Sequence, residues 1–256
     1  KLEMPLLKVL ASMETNGTKI NFEFLKNISI KYNDDLNKIE ENIFKISKER
    51  FNLASPKQLG EILFEKLKIK DNPKKTKTGQ YSTSEEVLSQ LSKENEIVSS
   101  ILEWRSLQKL ISTYVDALPK QINKNTKRVH TVFNQAVAST GRLSSANPNL
   151  QNIPIRTARG KEIRKAFTCQ NDNFKLLSAD YSQIELRVIA SLSGDNNMIS
   201  AFKKNEDIHS STASKVYGVD ISRVTNEQRS NAKIVNFGII YGVSAFGLSN
   251  QSNLSR

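Results

Sequence analysis

One cysteine, Cys169, and two histidines are all that 256 residues contain of the soft metal ligands. A single thiol excludes an intramolecular disulfide, and so few His and Cys exclude a His/Cys zinc cluster. Cys169 reads as a buried or half-buried bystander in a reducing intracellular compartment. No apolar run approaches the ~18 residues of a membrane span, and no signal peptide is visible, so no membrane partner is expected. Neither GxGxxG nor GxxxxGK followed by Ser or Thr occurs, which removes the common phosphate loops. Acid is scarce: 26 Asp+Glu face 38 Lys+Arg, a formal charge of +12. That balance favours a polyanionic partner, although a basic chain is often only a solvated surface. The length suits one large or two modest domains. The chain opens on Lys1 rather than methionine and reads as a fragment.

Residues 1–70 carry apolar positions at helical spacing (Leu6, Leu7, Leu10, then Ile39, Ile43, Phe44, Ile46), with "TNG" at 15–17 as a turn between two helices. The lysine-rich stretch 70–84 reads as a loop. Helix resumes over 84–118 and is expected to stop at Pro119. From 127 the period changes: Val129, Thr131 and Phe133 alternate with Val132 as in a strand. A turn-rich joint, "STGRLSSANPNLQNIP", follows. Further helices are expected to about Ser193, where Gly194 stops the chain, and over 207–217 and 226–248. A helical first half and an α+β second half suggest two or three lobes rather than a doubly wound sheet.

Two segments carry chemistry. In "KLLSADYSQIELRVIASLSG" (175–194) an apolar run is expected to form a buried strand ending at Asp180, where a carboxylate is costly unless a cation pairs with it. Beyond it, Ser182 to Glu185 fits a capping box opening a helix. In "NEQRSNAKIVNFGIIYG" the residues Arg229, Lys233, Phe237 and Tyr241 lie four apart and form one slanting stripe, with Ala232, Val235 and Ile239 opposite and able to bury. Two cations and then two rings match a nucleoside triphosphate read from phosphates to base. The bland alternative is a solvated basic turn followed by core aromatics. Gly238 and Gly242 weaken the helix by ~1 kcal/mol each, which close approach by another group would explain.

"DYSQIELR" (180–187) and "RSNAKIVNFGIIYG" (229–242) resemble two motifs of the family A DNA polymerases, the bacterial DNA polymerase I type. "TGRLSSANPNLQNIP", "DIHSSTA", "SPKQLGEILFEKL", "KKTKTGQYST" and "EWRSLQKLISTYVDALP" are similar to the same family, over nearly the whole chain. The resemblance implies an α+β right-hand polymerase fold, truncated: a junction at 1–12, a helical thumb at 13–120, a partial palm sheet at 121–205 and helical fingers beginning at 206–256. It implies template-directed DNA synthesis from dNTPs on a primer 3′-hydroxyl, with primer–template DNA as partner, in a monomer of the bacterial cytoplasm associated with the nucleoid through DNA.

Residue by residue, the resemblance makes Asp180 a catalytic, metal-binding carboxylate, with metal also held by the Tyr181 carbonyl. It places Gln183 and Glu185 near the incoming sugar, Glu185 excluding a ribose 2′-hydroxyl. Arg229, Lys233 and His209 would contact phosphates, Phe237 the sugar, and Tyr241 the base and template. Arg142, Asn149, Gln151 and Asn152 match positions near the primer terminus, and Lys75, Lys77, Arg105 and Lys109 match thumb contacts to DNA phosphates. Ser230 departs from the family's pattern, standing where a second arginine is usual. Two Mg²⁺ ions ~3.5–4 Å apart are implied, and such a pair normally needs two carboxylates. The family's second one lies far beyond the first in a His-Asp-Glu context that this sequence does not contain. The chain alone is therefore expected to be inactive. A non-catalytic nucleic-acid-binding module of polymerase shape, or a single-subunit RNA polymerase, are the competing readings.

Overall fold

The computed structural model describes residues 2–245 and 247–248, and the chain divides into two compact units at Leu176/Leu177. In the first unit α1 (Glu3–Asn16) ends at Gly17, whose φ of +60° supplies the expected turn. Then come β1 (Lys19–Ile20) and the long α2 (Phe22–Ser47), whose first turn is capped by Asn21 through Phe24 N–H. Leu25, Ile28, Tyr32, Leu36 and Ile43 form its buried stripe. That stripe packs on α5 (Glu96–Leu110), which buries Ile97, Val98, Ile101, Trp104 and Leu107. Each such aliphatic side chain contributes roughly 1.5–3 kcal/mol by leaving water. The polar tips are paired: Trp104 Nε1 donates to Glu40 at 2.7 Å, and Tyr32 hydroxyl to Glu162 at 2.9 Å. Burial and the Glu162 carboxylate push the Tyr32 phenol well above its ordinary value.

Shorter elements complete this unit. They are α3 (Pro56–Gly60), running on in wide π turns over Glu61–Lys66, α4 (Glu85–Leu91), α6 (Ala117–Lys120), β2 (Val132–Asn134), β3 (Ser144–Ala146), α7 (Ala158–Arg164) and β4 (Phe167–Thr168). The helical region ends at Lys120, one residue past the expected stop, because Pro119 lies inside the first turn of α6, where its missing N–H is not needed. β1 pairs antiparallel with β4, Ile20 opposite Phe167, and β2 with β3, Phe133 opposite Ser145. Val129 and Thr131 are buried and Val132 is exposed, so the alternation holds, though the paired strand is only Val132–Asn134.

The second unit is helical: α8 (Ile184–Ser193), α9 (Asn196–Lys203), α10 (Ile208–Tyr217), a 3₁₀ turn at Ile221–Arg223, and α11 (Asn226–Ile240). Gly194, at φ +68°, ends α8 as expected, whereas α9 was not foreseen. Leu186, Ala201 and Ile208 form its core, with Met198, Phe202, Phe237 and Ile240 packed around them.

The expected buried strand before Asp180 is absent. Residues 174–181 adopt no regular secondary structure, with Leu176 and Leu177 at 66% and 92% exposure and Asp180 itself exposed. A strand buries its side chains only when neighbours take up its backbone groups, and the described residues offer this run none. Three smaller expectations also fail. Gln183, at φ +53°, precedes α8 without a side-chain cap, so the Ser182–Glu185 capping box does not form. Ile239 is 66% exposed, although Ala232 is buried. The last helix ends at Ile240 instead of 248, since Gly242 turns the chain at φ +68°. Among the described residues no helix is long and apolar enough to cross a membrane.

Candidate nucleotide site and nucleic-acid cleft

The second unit assembles most of the sequence-predicted nucleotide residues around α11. Thr225 and Gln228 form a reciprocal capping box at its start, which fixes the first turn that carries Arg229. Arg229 is held edge-on by Asp207, Nε to Oδ2 at 2.6 Å and Nη2 to Oδ1 at 3.2 Å. Gln183 Nε2 donates to the same Oδ1 at 3.0 Å, while its own Oε1 is buried without a hydrogen-bond partner. Asp207 also caps α10 through Ser210 N–H. Despite partial burial, these donors hold its carboxyl well below the usual range.

One turn along α11, Lys233 is exposed, and its charge, with that of Arg229, disfavours a proton on His209. His209 is only 2% exposed, and burial is the main cause of its lowered pKa. Its Nδ1 accepts from Asn236 Nδ2 at 3.1 Å, and Asn236 Oδ1 accepts from Thr212 at 3.1 Å. Phe237 follows, half-buried, its ring 5.8 Å from that of His209. The Tyr241 ring stacks 6.4 Å beyond it at an interplanar angle of 16°, and its hydroxyl donates to Glu185 Oε2 at 2.8 Å. The stripe of two cations and two rings therefore exists as one face, with Phe237 also serving the core. The close approach inferred for the glycines holds at Gly238, but the group that approaches is the Leu248 side chain. Gly242 has nothing near its absent Cβ, and its positive φ is the reason for it.

Asp180 and the Tyr181 carbonyl offer hard oxygen donors of the kind Mg²⁺ prefers. They amount to one carboxylate, and the described residues contain no group of three or more ligating side chains. They do not compose a two-ion centre by themselves.

In the first unit, Arg105, Lys109, Asn149, Gln151 and Asn152 line one open cleft of about 1450 Å³. Two buried hydroxyls brace the segment 145–150 beside it: Thr131 Oγ1 donates to Pro148 O at 2.8 Å, and Ser145 Oγ accepts from Leu150 N–H at 3.0 Å. Tyr114 hydroxyl donates to the Asn152 carbonyl. Arg105 is half-buried and donates to both oxygens of Thr83, so part of its fork braces the protein. Arg142 is exposed and does not line the cleft. Lys75 lies over the Tyr81 ring at 5.0 Å, on a loop where Lys77 is exposed.

A sequence profile of DNA polymerase family A matches residues 22–256. The chain belongs to that family. DNA polymerase I of Pseudomonas aeruginosa is 48% identical over 256 residues, all of this chain and 28% of the relative. DNA polymerase I of Bacillus subtilis strain 168 is likewise 48% identical over 256 residues, covering 29% of its length. The chain thus spans under a third of these family A relatives. Among solved structures, the POL domain of Pol1 from M. smegmatis, in complex with DNA primer-template and dNTP, matches all of this chain and 45% of its own. The TM-score is 0.89 at 39% identity, so the helix-rich architecture with small sheets is a polymerase-domain fold.

Sequence reasoning missed Asp207, Ser210, Thr212 and Asn236 as parts of the site. Asp207 with Ser210 three residues on is a readable cap, but its pairing with Arg229, 22 residues away, leaves no local signal.

Proposed function

We propose that this chain carries the incoming-nucleotide site and part of the primer–template cleft of a DNA-directed DNA polymerase acting in replication and repair. The observation that supports this most is the ordered face of α11. Arg229 and Lys233 grip the triphosphate, His209 lies beside them as a neutral imidazole whose Nδ1 is already taken, and Phe237 and Tyr241 border sugar and base. Charge-assisted hydrogen bonds to phosphate contribute about 1.5–3 kcal/mol each. The Glu185 carboxylate, fixed by the Tyr241 hydroxyl, faces the sugar and rejects a 2′-hydroxyl. In the first-unit cleft, Asn149, Gln151 and Asn152 read groove acceptors common to all pairs, and Lys109 and the free part of the Arg105 fork meet DNA phosphates, as do Lys75 and Lys77 from their loop. Arg142 touches DNA near the terminus from its exposed position. Asp180 and Tyr181 supply one side of a Mg²⁺ site.

The solved neighbour, bound to primer-template and dNTP, supports this choice of partners. A monomer bound to DNA in the cytoplasm fits it. Bearing one of the two carboxylates that the chemistry needs, the chain purified alone binds dNTP but does not extend a primer.

Primer extension by the full-length polypeptide encoded with this chain is the test. Arg229→Ala is expected to raise the KM for dNTP about 10- to 100-fold, the equivalent of about 1.4–2.7 kcal/mol. An unchanged KM would remove the phosphate-gripping role.

A further inference from the structure

Asp207 collects donors from the starts of three helices. Ser210 N–H and Oγ reach Oδ2 at 3.1 and 2.6 Å from the first turn of α10. Gln183 reaches Oδ1 from the residue before α8, and Arg229 reaches both oxygens from α11. A guanidinium has two planar edges, and Asp207 occupies the one made by Nε and Nη2. The other edge, through Nη1, has no hydrogen-bond partner among the described residues, and the Arg229 side chain is 43% exposed. A planar pair of N–H groups matches two phosphate oxygens.

We propose that Asp207 is a positioning residue for the triphosphate: its carboxylate grips one edge of Arg229, fixes the rotamer, and turns the open edge toward the phosphates. Gln183 completes the clamp by locking Oδ1, which ties Arg229 to the segment carrying Asp180. This rests on Arg229 as a phosphate ligand and adds that the arginine acts at full strength only when its other edge is held. A flexible arginine would have to order itself on each binding event, weakening the complex. Asp207 also caps α10, which carries His209, and the double variant with Arg229→Ala separates that route from the one through the arginine.

Steady-state dNTP incorporation by the full-length polypeptide, with unfolding midpoints measured alongside, tests this. Asp207→Asn is expected to raise the dNTP KM about tenfold with kcat within threefold of wild type. Added to Arg229→Ala it should raise KM no further. Arg229→Lys, which leaves Asp207 intact but cannot present two planar edges, should lose about as much as Asp207→Asn. That arm stands even if Asp207→Asn folds poorly. Asp195→Ala, which removes the comparable cap of α9, should lower the midpoint without moving KM. If Arg229→Ala raises KM while Asp207→Asn leaves it unchanged or lowers it, the positioning role is wrong and phosphate binding by Arg229 stands. If Asp207→Asn costs as much with Arg229→Ala as without, the role does not run through the arginine and is also wrong. If Arg229→Ala itself has no effect, the underlying phosphate reading fails, and this inference with it.

Discussion

His209 is the residue whose protonation state matters most to the proposed site. Burial, helped by the charges of Arg229 and Lys233 and opposed by the Asp207 carboxylate, holds its pKa below the ordinary 6.5. With a depressed folded value, the unfolded chain binds the proton first as pH falls below about 6.5, and stability is lost there. The loss attributable to His209 is expected to approach, and not exceed, about 1.4 kcal/mol per pH unit. Denaturant midpoints between pH 7.5 and 5.5, compared with His209→Asn, check this: the variant should show the shallower dependence. Glu185 is the second residue with a sharp expectation. Glu185→Ala in the full-length polypeptide should admit ribonucleotides at least tenfold more readily. Tyr241→Phe, which removes the hydroxyl that Glu185 Oε2 accepts from, should move the same ratio in the same direction by less.

At the scale of elements, glycine marks where packing tolerates nothing larger. In α7, a Cβ on Gly160 would lie 2.6 Å from the Pro154 Cβ and 3.0 Å from its backbone. Gly160→Ala should therefore destabilise by about 1–3 kcal/mol, lowering the melting temperature by roughly 2–4 °C per kcal/mol. Helices were the legible elements. The buried position of Ile43 in α2 and the stop at Gly194 follow from spacing and backbone freedom alone. The run 175–180 was not legible, because its apolar pattern is that of a strand while pairing depends on partners remote in sequence. The cap at Ser182 failed for a related reason: Gln183 adopts a left-handed backbone and sends its side chain to Asp207, a residue 24 positions away. Ile239 shows that helical phase places a residue on a face without saying whether anything covers that face.

For the whole molecule, the net charge of +12 is the first clue and the least specific. Sorting it into sites took the motifs, which named Arg229, Lys233 and His209, and then the fold, which added the clamp on Arg229. If the first-unit cleft carries duplex DNA, Lys109→Ala in the full-length polypeptide should weaken binding evenly across sequences and reduce the log–log salt slope by about one. The central claim, that α11 holds a triphosphate by its cations, is tested most directly through Lys233, which has an exposed ammonium and no role in the core. The measurement is the dissociation constant of the primer–template-bound polypeptide for a dNTP and for its dNMP, wild type against Lys233→Ala. A tenfold or greater loss for the dNTP with little change for the dNMP is the predicted result. Equal losses for both, or none for either, would contradict it.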